Sequence, residues 1–242
     1  MSEKELARVG QIASMYHSES LAGANEQFHI HLRDNVIPAR GGESALELGC
    51  GKGLWTRVLC DRYERLDVVD GSPELLAEVA RSCTGRARLT THAALADEFL
   101  LATADTWRHI YMTFLLEHVE EPVELLRLAR SRLAEDGVLF VAVPNANSVH
   151  RILALRAGLI QSTTELSEND IRVGHRRVYT QALLREHLRL ADLRITLEKP
   201  VGLKPLTLKQ LEPLPDAVIA ALCASGDLVP ENCAYLAAEA QA

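Results

Sequence analysis

The chain has 242 residues, 48% of them hydrophobic and 24% charged, with a formal net charge of −7. That length suits one α/β domain with elaborations and is enough to bury a full core. The acidic balance opposes non-specific binding to nucleic acid or an anionic membrane, and no apolar run approaches the length of a bilayer span. Five cysteines without C-x-x-C spacing, and a start at Met1 without a signal-like apolar stretch, lead us to expect reduced thiols in a cytoplasmic protein.

Residues 1–40 precede the first strand and read as an N-terminal helical cap. Periodicity is weak over 3–15 and stronger over 28–36, where Phe28, Leu32 and Val36 are spaced as one helical face. Pro38 and the Gly41-Gly42 pair end it. The segment carries Tyr16, His17, His29 and His31 and is expected to cover a ligand pocket, with Tyr16 and His17 as substrate contacts. His29 and His31 are two positions apart, so on a helix they do not share a face and make poor joint metal ligands.

A short buried strand over 44–48 runs into the turn G-C-G-K-G at 49–53 and then a helix over 54–63. Gly49, Gly51 and Gly53 permit positive φ and close approach of a ligand to the backbone. The helix points its free N–H groups at the same spot. A second strand over 66–70 ends on Asp70, 19 residues beyond Gly51. In a βαβ unit this carboxylate stands at the neighbouring strand tip, within reach of a ribose. A dinucleotide site wants G-x-G-x-x-G; here the third glycine position is Leu54, and Glu47 precedes the turn.

Ser72 and Pro73 start a helix whose apolar face is Leu75, Leu76, Val79 and Ala80. A third strand over 86–91 and a loop or short helix over 92–104 follow. The fourth strand, 108–113, runs into Leu116-Glu117-His118-Val119, and Pro122 opens a helix to 133. After the turn at Glu135-Asp136-Gly137, residues 138–144 form the continuous apolar strand expected at the centre of a parallel sheet. Strands alternating with helices define a doubly wound α/β fold.

Residues 146–180 break the alternation with a helix over 149–159, a polar loop over 161–170, and a stretch in which Thr180 caps the next helix, 181–191. Residues 172–189 hold Arg172, His175, Arg176, Arg177, Arg185, His187 and Arg189 against one acid, Glu186. Two readings stand: a solvated basic face balancing Glu165, Glu168 and Asp170, or an anion clamp built from arginine forks. A strand over 192–199, a helix over 206–222 interrupted by Pro213 and Pro215, and a strand over 232–240 complete the chain.

The turn at 49–53 with Glu47 and Asp70, the Leu116-Glu117-His118-Val119 run and the Pro144-Asn145 ending together resemble the class I S-adenosylmethionine-dependent methyltransferases of small molecules. The resemblance implies a Rossmann-like, mostly parallel seven-stranded sheet with helices on both faces and an antiparallel C-terminal strand pair. It implies a cofactor-binding core over 41–145, a substrate lid over 146–180 and completion of the core by 181–242. By the same resemblance Gly49, Gly51 and Gly53 line the methionine moiety, Glu47 sits near its amino group, Asp70 accepts from the ribose hydroxyls, Gly71 and Ser72 belong to the cofactor site, and Leu115 and Leu116 flank the sulfonium.

Two departures stand out. The acid that holds adenine in the family is absent from the stretch 91–94 unless Asp97 or Glu98 supplies it, and Trp107-Arg108 replaces an aromatic–Asp pair. His118 is the candidate base, since an imidazole titrates near neutrality. The expected reaction is O-methylation of a small molecule bearing an anionic group, held by Arg172, His175, Arg176 and Arg177, with no metal, nucleic acid or membrane partner. N- or C-methylation of a neutral metabolite, tRNA methylation, non-catalytic cofactor binding and NAD-dependent hydride transfer are the alternatives, and the oligomeric state is not legible.

Overall fold

Residues 23–37, 39–83 and 88–242 are described by a computed structural model. The expected helix over 3–15, Tyr16 and His17 lie outside the described residues. Seven strands make one sheet: β1 (Gly42–Leu48), β2 (Tyr63–Asp70), β3 (Arg88–Ala93), β4 (Trp107–Thr113), β5 (Leu133–Pro144), β6 (Arg194–Val201) and β7 (Tyr235–Gln241). Their order is β3-β2-β1-β4-β5-β7-β6. The first five strands are parallel, and β7 runs antiparallel to both β5 and β6. This is the mostly parallel sheet with an antiparallel C-terminal pair that the resemblance implied.

Alternation along the central strands fills both faces. Phe140 and Ala142 of β5 join one core with Ala45 and Tyr111, while Leu139, Val141 and Val143 join the other with Leu46, Ile110 and Met112. The first face is covered by α1 (Gly23–His31), α2 (Thr56–Arg62) and α3 (Pro73–Ser82), which contribute Phe28, Leu59 and Val79. The second is covered by α4 (Ala96–Ala102), α5 (Pro122–Ser131) and, beyond the short helices α6 (Val149–Arg156) and α7 (Glu168–Arg172), by α8 (Gln181–Leu190). These supply Leu100, Leu125 and Leu188. The last helices are α9 (Leu208–Leu211) and α10 (Asp216–Ala224), separated by Pro213 and Pro215 as the sequence indicated. No helix among the described residues is long and apolar enough to cross a membrane.

Several local details differ from the sequence reading. The helix expected over 28–36 is α-helical only to His31 and continues as a π-helical turn, Leu32–Val36. The polar loop over 161–170 ends in α7, whose N-terminus is closed by a capping box between Ser167 and Asp170. β5 starts at Leu133, well before the apolar run, because Leu133 pairs with Trp107 across a register shift. Trp107 itself has an acid partner, but not its sequence neighbour: its Nε1 donates to Asp67 Oδ2 of β2 at 2.8 Å.

Candidate active site

β1 and β4 are neighbours from which the chain runs on to opposite sides, β1 to β2 and β4 to β5, so a crevice opens beyond their carboxyl ends. A cleft of about 190 Å³ sits there. Its walls are the turn at 49–52, Leu54 and Trp55, Asp70 and Gly71 at the tip of β2, residues 94–96 after β3, and Thr113, Phe114, Leu115 and His118 after β4, with Glu47 and His29 completing it.

The turn is built for close approach. Gly49 has φ +80°, and a Cβ there would meet Leu115 Cδ1 at 3.3 Å. Asp70 holds the turn with both oxygens: Oδ1 accepts from Ser72 N at 2.9 Å and Oδ2 from Cys50 N at 3.0 Å. Burial raises the Asp70 carboxyl above its usual range, opposed by these N–H donors. Glu47 is 1% exposed and accepts from Thr56 Oγ1 at 2.6 Å. Burial pushes its carboxyl up to about 8.

Beyond β4 the backbone turns through Phe114, a non-glycine residue at φ 55°. Such a conformation costs about 1–3 kcal/mol and persists where the surroundings enforce it. Here Phe114 stacks on His29 with ring centroids 4.3 Å apart and meets the edge of Tyr235 at 4.9 Å. Burial, with the nearby charge of Lys204, lowers the His29 imidazole to about 4, so it is neutral at pH 7. Lys204 lies behind this aromatic group, its ammonium 5.6 Å from the Tyr235 centroid. Burial and the charge of Arg151 lower Lys204 to about 8.

His118 lines the cleft, and its ring meets that of His175 edge-on at 4.8 Å. Glu117 beside it is 1% exposed. His175 Nδ1 lies 2.9 Å from Asp170 Oδ1, and Arg151 Nη1 donates to Asp170 Oδ2 at 3.0 Å. The four bonds to Asp170 from His175, Ser167 and Arg151 overcome its burial and hold its carboxyl well below the usual range.

Of the residues singled out in the sequence, Glu47, Gly49, Gly51, Asp70, Gly71, Leu115 and His118 line this cleft. Three expected contacts do not. Gly53 faces α3, where an added Cβ would lie 2.9 Å from Val79 Cγ2. Ser72 is buried as the N-cap of α3, accepting from Leu75 N at 3.3 Å. Leu116 turns away from its neighbour Leu115 and packs in the second core.

The basic residues expected to clamp an anion make contacts within the protein. Arg177 donates to the carbonyls of Leu116, Val119 and Glu120. Arg176 Nε donates to His118 O at 3.1 Å and its head pairs with Glu120 at 3.5 Å. Arg172 is exposed and bonds Asn169, while His175 is held by Asp170. The turn at 116–120 presents carbonyls that need donors, and Arg176 and Arg177 supply them. No residue of 146–180 lines the cleft, and Arg176 and Arg177 of this segment bond the turn.

Sequence reasoning missed Trp55, which lines the cleft and whose buried Nε1 has no partner among the described residues. It missed Phe114, whose left-handed φ carries no sequence mark. Residues 94–96 give the cleft an apolar wall, and neither Asp97 nor Glu98 lines it.

Residues 26–198 match the model of a family described as a methyltransferase domain. (S)-coclaurine N-methyltransferase of Thalictrum flavum subsp. glaucum is 31% identical over 104 residues, 42% of this chain and 29% of that protein. Ubiquinone biosynthesis O-methyltransferase of Haemophilus ducreyi is 26% identical over 157 residues, 60% of this chain and 65% of that protein. The chain thus spans less than two thirds of the length of either relative. Among solved structures, 1,6-didemethyltoxoflavin-N1-methyltransferase of Burkholderia thailandensis, with bound 1,6-didemethyltoxoflavin and S-adenosylhomocysteine, aligns over 99% of this chain and 90% of that chain. The TM-score is 0.60 at 17% identity, a likeness of fold.

Proposed function

The chain belongs to the methyltransferase-domain family, and we propose that it moves the methyl group of S-adenosylmethionine to an oxygen of a small molecule that carries an anionic group. The cofactor supplies an electrophilic methyl, and the protein's task is to hold nucleophile, methyl carbon and sulfur in line. Asp70 accepts from the ribose hydroxyls, the Gly49–Gly51 backbone flanks the methionine part, Glu47 faces its amino group, and residues 94–96 cover the adenine. His118 is the group assigned to the acceptor's proton, at the end of the cleft where the methyl emerges.

The observation that carries the acceptor's charge is Lys204. It is half-buried, has no carboxylate partner among the described residues, and stands behind the His29, Phe114 and Tyr235 rings. A half-buried ammonium with no ion-pair partner among the described residues is under-compensated, so an anionic acceptor satisfies it and a cationic amine is repelled. This moves the anion contact from the arginines of 172–177 to Lys204.

The test is methyl transfer from radiolabelled S-adenosylmethionine to paired acceptors, hydroxylated aromatic or aliphatic acids and their neutral amides. Lys204→Met should raise KM for the acids by ~10–100-fold, the loss of a charge-assisted contact, and leave the amides and cofactor affinity unchanged. Equal KM values in both proteins would remove Lys204 from the site. N-methylation of an uncharged nitrogen is the second reading, favoured by the N-methyltransferase names of the Thalictrum and Burkholderia proteins.

A further inference from the structure

Glu117 is sealed from water, and neither of its carboxylate oxygens has a hydrogen-bond partner among the described residues. An orphaned buried carboxylate requires an explanation, because burying one uncompensated is costly. Two imidazoles stand beside it. Glu117, His118 and His175 each offer one ligand atom, and these atoms lie within 4.8 Å of one another.

The set is braced from outside. His175 Nδ1 is bonded to Asp170 Oδ1, leaving Nε2 as its free ring nitrogen. Asp170 is itself fixed by Arg151 at 3.0 Å and by Ser167 Oγ at 2.6 Å. Arg176 N donates to Glu117 O at 2.8 Å, which ties the His175 segment to the end of β4 although the two lie far apart in sequence. A histidine whose second nitrogen is oriented by a carboxylate is the usual support of a metal-ligating imidazole.

We propose that Glu117, His118 and His175 bind one divalent first-row transition cation, Zn²⁺ or a similar ion, at the acceptor end of the cleft. One carboxylate and two imidazoles match the donor preference of such ions, whereas Mg²⁺ and Ca²⁺ favour all-oxygen sets. The three ligands leave coordination positions open, and His118 lines the cleft, so an open position faces it.

The chemical role rests on the methyl-transfer reading above. An acceptor hydroxyl that binds the cation has its pKa lowered, and its proton passes to bulk water. The oxygen's electron pair then forms the O–CH₃ bond while the S–CH₃ bond breaks with its pair left on sulfur. His118 thus acts on the proton through the ion it ligates.

The experiment is titration of the chelator-stripped, full-length protein with Co²⁺, read by its visible d–d absorption, with Zn²⁺ as competitor. The wild type should take up one Co²⁺ per chain with a spectrum unlike the hexaaqua ion, and Zn²⁺ should bleach it. Glu117→Gln and His175→Gln should each weaken binding at least tenfold, and Asp170→Asn, which only orients His175, by ~10–100-fold. Far-ultraviolet circular dichroism establishes that each variant is folded. A wild type that leaves Co²⁺ as the aqua ion, or a folded Glu117→Gln that binds as tightly as wild type, would overturn the site. Parallel titration with S-adenosylhomocysteine separates the two ideas: cofactor binding without cobalt sinks the metal site alone, and cobalt binding without cofactor sinks the methyl-transfer reading alone.

Discussion

Glu47 sits one residue before the end of β1 with its carboxyl sealed from water, and burial pushes its pKa to about 8 from an ordinary 4.5. The folded state therefore keeps a proton that the unfolded chain has lost between these values, so this group's contribution to stability falls as pH rises through that window and levels off above about 8. The effect is on the order of a few kcal/mol. Glu47→Gln should flatten the decline of Tm between pH 5 and 8. If Glu47 faces the cofactor's ammonium, binding favours its charged form and releases a proton. Calorimetry at pH 7 in buffers of different ionisation enthalpy should show that release in the wild type and its loss in Glu47→Gln. Buffer-independent heat in the wild type would put the amino group elsewhere. The position of Glu47 was legible because it lies in a short strand ahead of the glycine turn. Its protonation was not, because burial depends on Thr56 and the sheet around it.

At the level of elements, the segment after α7 was the hardest to read. Charge counting cannot tell an arginine that waits for a ligand from one that caps a turn. Arg177 is the second kind: its guanidinium serves three carbonyls of the turn between β4 and α5. Arg177→Ala should destabilise the fold by about 1–3 kcal/mol by leaving those carbonyls short of a donor. Denaturant unfolding should show a lower midpoint, while cofactor affinity, measured where the variant is folded, stays near wild type. Unchanged stability with a raised acceptor KM would restore Arg177 as a substrate contact. The glycine turn and the capping of α3 by Ser72 were legible because their chemistry is local. The meeting of Glu117 with His175 was not, because it depends on a long-range backbone bond from Arg176.

For the whole molecule, the sheet could be read wherever apolar runs marked buried parallel strands, above all in the later part of β5. The direction of β7 was a different matter: Tyr235–Gln241 is apolar enough for a strand, yet nothing in it says antiparallel, and that came from the resemblance. The topology puts the switch point between β1 and β4 and so fixes where a ligand binds. The central claim is that this crevice holds S-adenosylmethionine with its ribose on Asp70. Calorimetric titration of the wild type and of Asp70→Ala with S-adenosylhomocysteine tests it most directly. The wild type should show one site per chain and the folded variant a loss of about 1–3 kcal/mol. Absence of binding to the wild type, or equal affinity in the two proteins, would contradict it.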